Sequence, residues 1–511
     1  MKKYFLLLLM APFLFACNRS GSGSGGEQPD PPSTDDDVIV ENPDQVFVRS
    51  NVYDMAADDP IILGYQKAIT QMQSLPADDP TSWSYQAAIH GTYATPAQPV
   101  WNQCQHGSFF FISWHRMYLY YFERIVRKYS ENPDWALPYW NYSTTETRSL
   151  PAVFRNNNGN NPLYIPQRSA AMNNGAGLAN WVVALDCLDL IPFTGTFTPG
   201  ESFGGSTING PQHFFNGYGG LESIPHNQVH NSIGGWMSDP NTAAQDPIFW
   251  LHHSNIDRLA NVWLGLGQGR AWPNNATWLN EEFPFYDEDG NEVRLTGAQI
   301  VNSATQLGYR YDTDEATLAE QPLLAAADAP ETQGADENKM QSDREQEGKT
   351  TVAQSQVKET AFTATPLSVA LEMPEAGQRT LRKSTVEDEG DQQGTYLTVE
   401  GVKFDEMPNQ SVGVFLNVPE GETPDFNSIH LVDVITFFGI GHHAHHMEDG
   451  ARFVFRIDDT MAALAKAGID VSNLQVTFAL SNGVVLEGET TTKATEPTGN
   501  PRFSQVTIEV F

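Results

Sequence analysis

Six histidines, spaced as two groups of three, restrict this chain more than any other feature. The first group is His90, His106 and His115; the second is His226, His230 and one of His252 and His253. In "PHNQVH" two imidazoles lie one helical turn apart and project from one face. "DPIFWLHHSNIDRLANVW" reads as a helix with Asp246 as its cap and Pro247 in its first position, able to present a third imidazole to that pair. His115 stands at the start of a helix that Ser113 can cap. A lone histidine on an apolar face is usually a satisfied core residue. Six at these spacings, among aromatic neighbours, argue for metal. Sites made of imidazole alone suit copper and zinc best. A zinc hydrolase keeps a position for water and usually a carboxylate base beside it. Two triads of histidine point instead to a pair of equivalent metals sharing a small bridging ligand. Copper is favoured, because each centre can cycle by one electron.

The rest of the chain frames that core. Its 511 residues are enough for two or three domains. A net charge of -34 argues against a nucleic-acid binder, which needs a basic face. Residues 1–17, "MKKYFLLLLMAPFLFAC", read as a secretory signal, and "LFAC" resembles a bacterial lipobox ending at Cys17. Residues 18–45 read as a flexible tether. Cys104 and Cys187 are the other cysteines, too few for a disulfide framework. Residues 46–311 are dense in aromatics and carry helical patterns at "PIILGYQKAITQMQSL", "SWHRMYLYYFERIVRKY", "PHNQVHNSI" and "DPIFWLHHSNIDRLANVWL". Residues 312–392 are polar and read as a linker; residues 393–511 break into short β-rich runs between turns. The expected class is therefore a multidomain α+β chain, with a mainly α core followed by an antiparallel β-sandwich. Four histidines in "GHHAHHMEDG", His442, His443, His445 and His446, cluster in an expected turn. They read as incidental, with copper capture as the alternative.

"CQHGSFFFISWHRMYLYYFE", "LPYWNY", "LESIPHNQVH" and "DPIFWLHHSNIDRL" resemble the tyrosinase and polyphenol oxidase family of type 3 copper proteins, and "DDPTSWSYQAAIHG" is similar to its first ligand segment. The resemblance implies a four-helix bundle holding two copper ions, with O2 as cosubstrate and small phenols as substrates. It implies His90, His106 and His115 on the first copper, and His226, His230 and His253 on the second. The spacing alone leaves His252 and His253 open. It further implies a thioether between Cys104 and His106, and a water held by Glu222, expected one helical turn before His226 in "LESIPHN", and Asn227 that takes the phenol proton. By an ungapped count, Pro240 stands where plant catechol oxidases place a bulky Phe, which suggests an open entrance. Arg116, Asp257 and Arg258 are expected to tie helices together, and Asn141 replaces an Asp common in relatives. "TYLTVEGVKFD" and "GYRYD" are similar to the shielding domain and tyrosine motif of plant-type members. Latency follows, relieved by a protease that cuts the linker. Localisation is expected to be that of an exported bacterial lipoprotein, periplasmic or anchored at the outer membrane or cell surface. The runner-up function is a reversible O2 carrier like molluscan haemocyanin.

Overall fold

The computed structural model describes residues 45–195, 201–214, 217–314, 350–384, 394–440, 450–486 and 495–510. The signal and tether segments, the stretch 315–349 and the four histidines at 442, 443, 445 and 446 lie outside the described residues.

Five helices carry the core. Helix α1 (Pro60–Ser74) starts at a proline behind Asp59, whose side chain accepts from the Ile61 amide, and buries Ile62, Tyr65, Ile69 and Met72 along one face. Helix α2 (Trp83–His90) is capped by Ser82 and ends on the first histidine. Helix α3 (Phe111–Ser130) packs against α1 and against α5 (Pro247–Gly265). Between these lies the short α4 (Gln228–Ile233). Asp246 caps α5 by accepting from the Ile248 amide, with Pro247 in the first turn, as its sequence implies.

Two local expectations need correction. Helix α3 begins at Phe111, not at Ser113, and no side chain caps it; Ser113 Oγ donates back to Phe110 O at 3.1 Å. The cause is the run Phe109, Phe110 and Phe111, all fully buried, which anchors the first turn by packing. His115 therefore lies in the second turn. The segment before His226 is also not a regular helix, because Ile224 is extended at φ -141° and ψ 124°. Glu222 thus stands across a break from His226 and not one helical turn before it.

Behind the histidines, one buried polar cluster ties the core together. Asp257 accepts from Arg116 Nε at 2.6 Å, from Arg49 Nη1 at 3.4 Å, and from the Tyr309 and Tyr311 hydroxyls at 2.7 Å each. The charges are fully desolvated, so their pairing is obligatory. Arg258 does not join helices by an ion pair. It donates to Asn255 on its own helix at 2.9 Å and lies 5.0 Å above the Tyr139 ring. Asn141 Oδ1 closes a local turn by accepting from the Ser143 amide and hydroxyl.

The C-terminal part is an eight-stranded antiparallel sheet. Its strands are β1 (Thr350–Ser355), β2 (Leu367–Glu372), β3 (Thr395–Val402), β4 (Ser411–Leu416), β5 (Leu431–Ile435), β6 (Ala451–Arg456), β7 (Gln475–Ser481) and β8 (Gln505–Val510). The spatial order is β5-β4-β7-β2-β1-β8-β3-β6. Strand β2 joins two halves, pairing Leu367–Ala370 with β7 and Leu371–Glu372 with β1. The two edge strands β5 and β6 approach each other. The sheet therefore wraps one apolar interior that includes Leu397, Phe437, Phe455 and Ile508. This β domain begins near residue 350, earlier than the composition suggested. "TTVAQS" and "LSVALE" are short and half polar; only the second alternates, yet the first gives Val352 and Ala353 to that interior and the second Val369 and Leu371.

The two parts are joined along one seam. Leu178 and Gly177 pair with Val484 and Val485, the Ala179 amide donates to Gly483 O at 2.8 Å, and Trp181 stacks on Phe426 at 4.8 Å. The Tyr396 hydroxyl donates to Glu201 at 2.8 Å. No helix among the described residues is long and apolar enough to cross a membrane.

Candidate metal centre

The six predicted histidines come together in one buried place. Helix α2 delivers His90 at its last residue, α3 delivers His115, α4 and the turn before it deliver His230 and His226, and α5 delivers His253. His106 sits in the loop before α3, bridged to Phe214. None of the six is more than 3% exposed. Gly91 makes the approach of α2 possible: a Cβ there would lie 2.5 Å from Pro240 O.

Their hydrogen bonds fix which nitrogen faces inward. Nδ1 of His90 donates to Pro240 O at 2.8 Å, that of His115 to Phe111 O at 2.8 Å, and that of His230 to Met237 O at 2.7 Å. Nδ1 of His106 donates to Glu222 Oε1 and that of His226 to Asn227 Oδ1, both at 2.9 Å. Five rings are thus held in the tautomer that leaves Nε2 as a bare lone pair. Those lone pairs converge. The Nε2 atoms of His90 and His106 are 3.3 Å apart, those of His226 and His253 3.3 Å, and those of His230 and His253 3.2 Å. Nε2 of His115 is buried with no partner. Facing lone pairs in a dry cavity repel one another, and a shared cation removes the repulsion. The donor set therefore fits soft or borderline metal ions.

Electrostatics agree. Burial first, and neighbouring imidazoles second, hold His90, His106, His226, His230 and His253 well below the usual histidine range. Burial pushes His115 and His252 down to about 3. At neutral pH all are uncharged, so no proton competes with a metal.

His252 also lies inside this nest. One ligand atom from each of His226, His230, His252 and His253 falls within 4.8 Å of the others. His252 Nδ1 faces the Tyr142 hydroxyl at 3.2 Å, and its ring stacks on His226 at 5.4 Å. His253 reaches further, grouping also with His90 and His115 and stacking on His115 at 4.4 Å.

Glu222 and Asn227 anchor histidines of opposite groups. Glu222 also accepts from the Gly107 amide at 3.0 and 2.9 Å. Burial pushes its carboxyl up, and the Gly107 amide pulls it back; a nearby cation would favour the ionised form. Asn227 Nδ2 is buried with no partner. Cys104 is a buried thiol. One ligand atom each from Cys104, His90 and His106 lies within 4.8 Å of the others, and Cys104 Sγ is 3.3 Å from His213 Nδ1.

Pro240 does not open an entrance. It is buried, and its carbonyl anchors His90. The aromatic cover comes from residues that sequence reasoning missed. Phe214 stacks on His106 at 5.3 Å. Phe438, from the turn after β5, stacks on His230 at 4.0 Å and meets the edges of His106 and His226 at 5.6 and 5.5 Å. Phe438 belongs to the β domain but packs into the core of the helical part. Only an apolar "FFGI" run hints at it in the sequence.

Comparison with known proteins matches residues 80–201 and 193–266 to the common central domain of tyrosinase, and 273–321 to the polyphenol oxidase middle domain. Residues 349–491 match a domain family of unknown function. The chain is 36% identical over 303 residues to a tyrosinase of Hahella sp. (strain CCB-MM4), covering 52% of this chain and 62% of that one. It is 32% identical over 319 residues to the chloroplastic polyphenol oxidase II of Ipomoea batatas, covering 56% and 53%. The chain thus spans less than two thirds of the length of these curated relatives. Among solved structures, latent apple tyrosinase superposes with a TM-score of 0.59 at 21% identity, over 91% of this chain and 98% of that one. A latent aurone synthase gives 0.58 at 20%, over 91% and 90%. These two establish the shared fold, helical core and β domain together.

Proposed function

Residues 80–266 belong to the tyrosinase family, and from that premise we propose that this protein is a copper-dependent phenol oxidase. It hydroxylates monophenols to o-diphenols, oxidises o-diphenols to o-quinones, or does both, with O2 as cosubstrate. The observation that carries the reading is the convergence of Nε2 lone pairs from two histidine groups, with five rings anchored through Nδ1. In this reading His90, His106 and His115 hold one copper in a four-helix bundle, and His226, His230 and His253 hold the other. Two coppers bound there would supply one-electron redox chemistry at each centre. The relatives described above are named for phenol oxidation, which favours an oxidase over a reversible O2 carrier.

The chain's own residues do the rest. The carbonyls of Pro240, Phe111 and Met237 keep three imidazoles from turning, and Glu222 and Asn227 do the same for His106 and His226. Asn227 Nδ2, a buried donor with no partner, is suited to hold a water beside Glu222 that takes the proton of an entering monophenol. Cys104 is proposed to bond covalently to His106, which would lock that ring. Phe438 covers the histidines and keeps phenols out, so the full chain is latent until the β domain moves or is cut away. A lipid on Cys17 and export from a bacterial cell complete the reading.

The test is oxygen uptake by copper-loaded protein given a monophenol and then a catechol, before and after limited proteolysis. Uptake after proteolysis is expected; no uptake from either phenol with copper bound would sink the oxidase. The proton-transfer role has its own variant. Asn227→Asp keeps an oxygen for His226 and removes the spare N–H donor. It should lower monophenol hydroxylation roughly a hundredfold while catechol oxidation stays within about threefold. Equal loss on both substrates would reduce Asn227 to an anchor for His226.

A further inference from the structure

The four helical histidines do not stand on equal supports. His115 rides on a helix of 20 residues and His253 on one of 19. His230 rides on α4, which has six residues. The chain before α4 breaks at Ile224, and after it come Gly234 and Gly235, both left-handed at φ 71° and 58°. A Cβ on Gly235 would lie 1.6 Å from Gln167 O, so that turn is fixed by close approach. A helix this short has little stability of its own. Within the helical part it is held by burial of Val229 and Ile233 and by the Ser169 amide, which donates to Ile233 O at 2.8 Å; its polar side chains look across the domain seam. Ser411 Oγ of β4 donates to Gln228 Oε1 at 2.7 Å. Asn231 Nδ2 donates to Thr436 Oγ1 at 2.8 Å and to Ser411 Oγ at 3.2 Å. Ser232 meets Gly483, where a Cβ would lie 2.1 Å from its Oγ. Besides His230, every polar side chain of α4 is thus turned to the β domain. Gln228, Asn231, Ser411 and Thr436 are all at most 4% exposed, so these bonds form without competition from water.

We propose that the β domain is a strut for α4: Ser411 and Thr436 are positioning residues that hold the second histidine group at its spacing. The second metal is then held longer with the β domain in place than without it, a difference of rate that still leaves an excised core able to carry both, and the first metal is indifferent to it. This rests on the oxidase reading for the assignment of two coppers; Thr436 Oγ1 also accepts from the Phe438 amide, so Ser411→Ala, which leaves that turn intact, separates the strut from the cover.

Two measurements on the full chain test it. In metal-free protein, Ser411→Ala combined with Thr436→Val should speed amide exchange severalfold in residues 226–233 and leave residues 111–120 unchanged. In copper-loaded protein with excess chelator, copper per chain is followed in time. The same double variant should release one ion about tenfold faster than the parent, a size typical of supports behind metal ligands, while the other keeps its parental rate. Phe438→Ala, with the strut intact, should speed both ions alike. Unchanged exchange in 226–233, or equal acceleration of both ions in the double variant, would overturn the proposal. Should the double variant not fold, Ser411→Ala alone is read against the same two criteria. A chain that takes up no copper would defeat the oxidase reading, and amide exchange would still decide the strut.

Discussion

Replacing His253 with alanine is expected to leave one copper per chain and to cut phenol oxidation at least a thousandfold. His253 Nε2 is the atom on which His226 and His230 converge, at 3.3 and 3.2 Å. Its loss leaves two imidazoles where three are needed, and ligands that act as a unit fail together. His252→Ala is the matched control. That ring faces the Tyr142 hydroxyl and stacks behind His226, so its removal leaves a cavity that costs about 2–5 kcal/mol of stability. Both coppers should stay. Metal content by elemental analysis and oxygen uptake decide between them. A His252 variant that loses a copper, beside a His253 variant that keeps two, would reassign the ligand.

Phe438→Ala should release much of the latency with the β domain still attached. The ring is fully buried and lies 4.0 Å from His230, nearly parallel to it. It is held in place by its own turn. The Phe438 amide donates to Thr436 Oγ1 at 3.3 Å, and the Ile440 amide to Phe437 O at 3.2 Å. Gly439 takes φ 83°, where a Cβ would meet Tyr218 Oη at 3.2 Å. Burying a phenylalanine is worth about 1.5–3 kcal/mol, so its loss shifts the covered-to-open ratio roughly 10–100-fold. The full chain should gain activity by about that factor, mainly as a lower apparent KM, because the ring competes with substrate for one position. Activity after proteolysis should not change, since the excised core lacks residue 438. A variant as latent as its parent would mean that the bulk of the domain blocks entry and that this side chain does not.

The histidine pattern was legible because helix geometry is local. "PHNQVH" puts His226 and His230 one turn apart wherever it folds, and their rings are 4.6 Å apart in the structure. "DP" before "IFWLHH" fixed the start of α5 for the same reason. The start of α3 was misjudged because packing of three phenylalanines, which no local rule reports, overrode the serine as a cap. The strands at 350–355 and 367–372 were missed because short, half-polar segments carry a weak periodic signal, and their partners lie far along the chain.

By itself, the sequence determined the donor chemistry: six imidazoles on or beside helices, a carboxylate and an amide near two of them, a cysteine two residues before one. Each follows from residue type and short spacing. Only the tertiary structure decided which nitrogen of His90 and His106 faces inward, because the anchoring oxygens of Pro240 and Glu222 come from distant segments. It alone decided that Phe438 covers the histidines and that Ser411 and Thr436 brace α4. Those contacts join residues some 180 to 330 positions apart, set by how two domains pack, and no local preference encodes such a meeting.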